Sequence, residues 1–347
     1  MKSTTIAVDL AKSVFQVAVS RQAGKVAEVR RLTRSAFRQF LAQHEPATVL
    51  LEACGTAHYW ARELETLGHQ VVLLPPHAVR PYVPRNKTDQ ADAKALLEAY
   101  RNEAIHPVPA KSVGQQCLTA LHRVRTAWMR TRIARINFVR ASLRELGWSI
   151  PVGAARVLPQ ASAVLEDPDS ELPSPLRHVL KLACEEIREL EKRIHAVDKQ
   201  LRLMAAEMPL YKRLLSIPGV GPLSASALIA FLGEMTRFQN GRRFACFLGL
   251  TPRERSSGLK RRLGAISKQG DTYLRTLLIH GARSVLLAAK RRREPDRLRA
   301  WALQVQQRRG HNTAAVALAN KLARIVWAVW THDEAVFQSF PLAVERA

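Results

Sequence analysis

Thr5-Ile6-Ala7-Val8-Asp9 and, further along, Ala47-Thr48-Val49-Leu50-Leu51-Glu52 decide how this chain is read, because each is a short apolar run that stops on an acid. Runs of about four to eight β-branched and aliphatic residues bounded by polar turns read as buried strands. Val14-Phe15-Gln16-Val17-Ala18-Val19 forms a second strand, joined to the first by a short polar turn as in a hairpin, and a third lies around Glu28-Val29-Arg30. Ser35 can cap a helix through about His44, His58 to Leu67 reads as a helix, and Gln70-Val71-Val72-Leu73-Leu74 is a strand stopped by Pro75-Pro76. After a basic, proline-containing loop, Thr88 or Asp89 can cap a helix running to about Arg101. Strands interleaved with helices predict an α/β layer fold.

From about Ser112 the pattern turns helical. Leu118, Leu121, Val124, Trp128, Ile133, Ile136, Val139, Leu143 and Leu146 form an apolar stripe, with Arg123, Arg125, Arg130, Arg132, Arg135, Arg140 and Arg144 around it. This predicts a long basic amphipathic helix whose arginines are candidates for a nucleic-acid surface or simply for a solvated face. Pro151, Pro159, Pro168, Pro173 and Pro175 predict a linker between Gly147 and Pro175. Leu176, Leu180, Ala183, Ile187, Leu190, Ile194, Val197, Leu201, Met204 and Met208 then alternate steps of four and three, a heptad seam. Its partner is either the preceding helix of the same chain or a second copy. The remainder is mostly helical, with a polar, basic interruption from Thr251 to Lys268.

A length of 347 residues suggests two or three domains. Lys and Arg number 54 against 29 Asp and Glu, a net charge of +25, which points to a polyanionic partner. No apolar run approaches the roughly 18 residues that span a bilayer, and Asp9 arrives too early for a signal-peptide core. A soluble, cytoplasmic, nucleoid-associated protein with no membrane partner is expected. Cys54, Cys117, Cys184 and Cys246 stand apart without a Cys-x-x-Cys pair, so all four are expected to be reduced and structural.

Asp9 and Glu52 end two apolar strands in the same manner; if the strands are neighbours, the two carboxylates meet at one sheet edge. Asp89 and Asp92 are three apart and share a helix face, although acids in a first helical turn also arise from the helix dipole alone. As a set, the four are either the oxygen-rich cluster that hard divalent ions require or solvated strand and helix ends. Ile217-Pro218-Gly219-Val220-Gly221 between helical segments is either a helix-hairpin-helix-like turn, whose glycines let the backbone approach a phosphate, or a plain helix-helix turn. Ser256 and Ser257, set among arginines in a Gly-containing loop, are either part of a surface turn or a nucleophile.

In this order the motifs resemble the DEDD transposases of bacterial insertion sequences, bridge-RNA-guided DNA recombinases. The resemblance rests on Ala7-Val8-Asp9, Leu51-Glu52-Ala53-Cys54-Gly55 and Lys87-Thr88-Asp89-Gln90-Ala91-Asp92-Ala93, then Ile217-Pro218-Gly219-Val220-Gly221, Phe247-Leu248-Gly249-Leu250-Thr251-Pro252, Ser256-Ser257-Gly258 and Ser267-Lys268-Gln269-Gly270. It covers nearly the whole chain. One departure is Leu259, where the family motif often has a second glycine after Gly258.

The resemblance implies three regions. Residues 1–111 would be an α/β RNase H-like domain of the Holliday-junction-resolvase type, 112–208 a basic helix and coiled-coil region, and 209–347 a mostly α transposase domain with a helix-hairpin-helix-like motif. It implies Asp9, Glu52, Asp89 and Asp92 as catalytic ligands of Mg²⁺ or Mn²⁺ and Ser256 as nucleophile, with Ser257 as fallback. The implied reaction is strand exchange through a covalent 5′-phosphoserine. Implied partners are double-stranded donor and target DNA, a structured bridge RNA, and further copies of the chain in a dimer or tetramer in which the acids of one subunit meet the serine of another. The rival readings are a metal-dependent junction nuclease that uses water, and a non-catalytic nucleic-acid-binding protein.

Overall fold

The computed structural model describes residues 4–22, 25–83, 89–258, 260–291 and 293–339, with the side chains of Asp89 and Gln90 outside that description. The chain forms two compact units, one from the residues up to Gln115 together with Leu232–Arg237, the other from Gln116–Phe231 and the residues from Phe238 onward.

The first unit is built on β1 (Thr5–Asp9), β2 (Val14–Ser20), β3 (Glu28–Thr33), α1 (Arg34–Ala42), β4 (Thr48–Glu52), α2 (Ala57–Thr66), β5 (Gln70–Leu74), the short α3 (Pro76–Val79) and α4 (Asp89–Tyr100). The strands lie in the order β3-β2-β1-β4-β5. β2 pairs antiparallel with β1 and β3, while β4 runs parallel to both β1 and β5. Buried Ile6, Val8, Val49 and Leu51 point to one face, where Phe15, Phe37 and Trp60 meet edge to face at 5.1–5.3 Å. Ala7, Leu50 and Leu74 point to the other, against Ala93, Leu96 and Ala99 of α4. Both faces are covered, which is why β4 is apolar at every position from Val49 to Leu51 rather than alternating. Each fully buried leucine here contributes about 2 kcal/mol. The α1 cap is Thr33, whose hydroxyl accepts from the Ala36 amide, two residues before the predicted Ser35. Thr88, the other predicted cap, lies outside the described residues.

The second unit contains α5 (Val113–Glu145), α6 (Val157–Glu166), α7 (Ser174–Ala206), α8 (Pro209–Leu215), α9 (Pro222–Leu232), α10 (Gly241–Phe247), the hairpin β6 (Pro252–Glu254) and β7 (Leu263–Ile266), α11 (Thr272–Ala289), α12 (Arg297–Arg309) and α13 (His311–Thr331). The first residues of α5 belong to the other unit. The heptad seam finds its partner inside the chain. Arg125 pairs with Asp198, Arg132 with Glu191 and Arg135 with Glu186, so numbers rise along α5 as they fall along α7 and the helices run antiparallel. Ile136, Val139 and Leu143 pack with Leu180, Ala183 and Ile187. Surface ion pairs of this kind contribute under about 1 kcal/mol each, so apolar burial is the larger stabilising effect.

Those contacts also correct the expectation for the arginine-rich face. Arg125, Arg132 and Arg135 are engaged by α7, and Arg140 donates to the carbonyls of Pro151 and Gly153. Arg123, Arg130 and Arg144 are exposed. The expected linker contains a helix, α6, because Pro159 falls in its first turn, where a missing N–H and a φ near −65° do no harm.

α13 is the hub of the C-terminal helices, with α10, α11 and α12 packed on it. Its buried stripe includes Ala314, Ala315, Ala319 and Ala323, small enough for close approach; a Cβ on Gly241 would come within 3.0 Å of the Arg324 backbone. Among the described residues no helix is long and apolar enough to cross a membrane.

Candidate active site

β1 and β4 are parallel neighbours with Val8 opposite Leu51, so the next residues, Asp9 and Glu52, stand side by side where the two strands end. Side chains alternate along a strand. Ala7 and Leu50 face α4, and two residues on Asp9 and Glu52 share that face. Both are half-buried. Their charges are felt together at Cys54, whose thiol is pushed up first by burial, then by Glu52 and by Asp9.

α4 lies across β1, β2 and β4. Asp92 precedes the sheet-facing Leu96 and Ala99 by four and seven residues, which places it on the helix stripe that faces the sheet. Asp89 is the first residue of this helix, and its side chain lies outside the described residues. Asp9 and Glu52 are therefore brought together, and Asp92 lies on the helix that packs on the same sheet face. Among the described residues, no three His, Cys, Asp or Glu side chains close into a metal-holding group.

In the second unit the interruption from Thr251 to Lys268 is a two-stranded hairpin with a defined base. Gly249 and Gly270 have φ of +68° and +78°, and a Cβ on either would meet backbone oxygen at 2.1 Å (Gln269) or 1.9 Å (Phe247), so the segments before β6 and after β7 interlock at backbone distance. The buried Arg275 on α11 donates to the Leu248 and Gln269 carbonyls, both at 3.0 Å, and ties the two together. Towards the tip, the Ser256 hydroxyl donates to Glu254 Oε1 at 2.7 Å and accepts from the Arg262 amide at 3.1 Å. Arg261 donates to the same Glu254 oxygen at 3.2 Å. The hydrogen bond from Ser256 is the main cause holding the exposed Glu254 carboxyl below the usual carboxylate range, with Arg261 adding to it. Ser257 bonds through its backbone to Lys260, and Leu259 lies outside the described residues. Beside the hairpin, Arg253, Arg255, Arg262 and Lys268 line an open groove of about 470 Å³.

Two family models match the chain. One, of DEDD transposases, covers residues 6–147, and the other, described as the transposase IS116/IS110/IS902 family, covers residues 211–297. A probable family 20 transposase of Pseudomonas aeruginosa is 43% identical over 96% of this chain and 98% of its own length. The transposase for insertion sequence element IS1328 of Yersinia enterocolitica is 38% identical over 94% and 97%, and that for IS1111A of Coxiella burnetii is 37% identical over 95% and 90%. The chain is an IS110/IS116-family transposase. It is an enzyme that carries out DNA strand transfer.

Within this transposase, sequence reading missed Glu254 and Arg275. Glu254 ends β6 and lies two residues before Ser256, just beyond the strand, and a stretch read as an irregular turn hides the relation. Gly219 serves packing: its φ is +81°, and a Cβ there would meet the Gly281 carbonyl at 2.7 Å, so the turn between α8 and α9 is pressed against α11. Gly221 has open space where a Cβ would be. All four cysteines are free, as expected, but only Cys184 is buried in the core; Cys54, Cys117 and Cys246 are exposed.

Proposed function

We propose that this transposase exchanges DNA strands through a serine nucleophile, Ser256, assisted by divalent metal at Asp9, Glu52, Asp89 and Asp92, and guided by a bridge RNA. The observation that carries the reading is the pairing of Asp9 and Glu52 at the ends of adjacent parallel strands, on the sheet face that α4, the helix bearing Asp92, covers. An all-carboxylate donor set suits a hard cation, and a mixed sheet covered by helices supports the RNase H-like assignment of residues 1–111.

A bound Mg²⁺ or Mn²⁺ would neutralise charge on the scissile phosphate. The chain's own residues do the rest. Asp9 and Glu52, fixed by the sheet, orient the charge at one point. Ser256 presents its oxygen from a hairpin whose base is interlocked, which limits its positional freedom. Arg253, Arg255, Arg262 and Lys268 attract a phosphate backbone without reading bases. Base pairing to the RNA then supplies sequence choice for donor and target DNA. Residues 112–208 form the intervening basic and coiled-coil region, residues 209–347 the transposase domain with its helix-hairpin-helix-like turn, and the working assembly is a dimer or tetramer.

The test uses the full chain with its copurifying RNA, Mg²⁺ and a labelled duplex carrying the two flanks of its coding sequence joined end to end. Protein should become covalently attached to DNA. Asp9→Ala and Glu52→Ala should abolish attachment and recombination while nucleic-acid binding persists, and Ser256→Ala should abolish attachment. Cleavage by Ser256→Ala with no attachment by the wild type would instead indicate a nuclease that uses water. Unchanged activity in Asp9→Ala would remove the acids from the mechanism.

A further inference from the structure

A serine hydroxyl attacks phosphorus only if its proton has somewhere to go. Around Ser256 the hairpin offers many cations, Arg253, Arg255, Lys260, Arg261 and Arg262, none of which accepts a proton at neutral pH. From Pro252 to Ile266 the sequence holds one acid, Glu254. It is also the group to which the Ser256 hydroxyl donates, at 2.7 Å, within the reach required of a general base. The Arg262 amide occupies another position on the serine oxygen, at 3.1 Å, and Arg261 donates to the same Glu254 oxygen and steadies the carboxylate. The direction of the O–H bond is thereby set before any DNA arrives. A carboxyl held below its ordinary range is ionised at neutral pH, so it can take the proton in transit and hand it on to water rather than keep it.

We propose that Glu254 is the catalytic residue that takes the Ser256 proton during strand cleavage and relays a proton back to Oγ when the covalent link is resolved. This rests on Ser256 being the nucleophile. In the first step the O–H bond of Ser256 breaks and its proton passes to Glu254 as Oγ bonds to phosphorus. The bond from phosphorus to the 3′ oxygen breaks, and that oxygen leaves with the electron pair and takes a proton from water. In the second step a 3′ hydroxyl attacks the same phosphorus and loses its proton to water. The Oγ–phosphorus bond breaks, and Oγ takes a proton that Glu254 relays from water, Glu254 having passed the first proton to water while the covalent link stood. Atoms and charge balance over the two steps with no further reactant.

The same labelled duplex and full-chain complex test this, scored for the rates of attachment and of resolution. Glu254→Gln keeps an oxygen that can orient the hydroxyl but cannot hold the proton, so both rates should fall about a hundredfold, with DNA binding and thermal unfolding unchanged. Glu254→Asp, which keeps the carboxylate on a shorter arm, should recover to within about tenfold of wild type. Glu254→Gln within threefold of wild type in both rates, or Glu254→Asp no faster than Glu254→Gln, overturns the proposal while leaving Ser256 in place. Attachment that survives Ser256→Ala overturns the nucleophile assignment itself, and the role of Glu254 with it.

Discussion

Lowering the pH should weaken the helical unit through one histidine. His122 on α5 is fully buried; Nδ1 lies 3.0 Å from the Tyr273 hydroxyl and Nε2 lies 3.1 Å from the Ser226 hydroxyl. Both ring nitrogens are satisfied with the ring neutral. Burial, and then the nearby Arg125, push its pKa from 6.5 down to about 4, against an opposing pull from Asp198. The folded unit therefore refuses a proton that the unfolded chain accepts. Above the unfolded value this costs nothing; as the pH falls from 6.5 towards 4 the unfolded state gains the proton and stability is lost progressively. The full loss is about 3 kcal/mol, of which about 2 kcal/mol is reached near pH 5.

The assay is urea denaturation of the wild type and His122→Gln at a series of pH values, followed by tryptophan fluorescence. All six tryptophans except Trp60 lie in this unit, so the signal reports mainly on it. Glutamine fills the site without titrating, so the carboxylates common to both proteins cancel in the difference. Between neutral pH and about pH 5 the wild type should lose about 2 kcal/mol more than the variant. Curves that run parallel to within about half a kcal/mol would refute the reasoning.

Two further outcomes are expected. Mg²⁺ at ten times its dissociation constant should stabilise the first unit by about 1.4 kcal/mol, and Asp9→Asn or Glu52→Gln should remove that response, as read by thermal unfolding with and without the ion; an unaltered response in both variants would place the ion elsewhere. Gly249→Ala or Gly270→Ala should cost about 3 kcal/mol or more by strain plus collision with backbone, whereas Gly258→Ala, at φ +57° with open space, should cost about 1 kcal/mol, as measured by urea denaturation.

The N-terminal sheet was legible because its strands are apolar and end on acids: Asp9 and Glu52 are where Ile6-Ala7-Val8 and Leu50-Leu51 stop, and parallel pairing brought them level. The seam of α7 was legible as a seam, but periodicity carries no information about the partner, and the acids that choose α5 lie 51 to 73 residues from their arginines. Glu254 escaped notice for a different reason. Strands β6 and β7 are exposed at almost every position, so no apolar alternation marks the hairpin, and without the hairpin nothing signals that its chain folds Glu254 back onto the Ser256 hydroxyl. Gly219 and Gly281 meet across 62 intervening steps of chain, 281 − 219, and no local pattern announces such a contact.

α11 holds three things at once. Tyr273 reaches His122, Arg275 fastens the root of the Ser256 hairpin, and Gly281 abuts the turn after α8. A single stiff rod with three attachments permits none of them to shift alone. With Ser256 as the proposed nucleophile, its travel towards a phosphate must come from bending beyond Pro252 and Ile266 or from movement of the helices that anchor the hairpin, so changes along α11 should alter the timing of strand transfer without touching DNA.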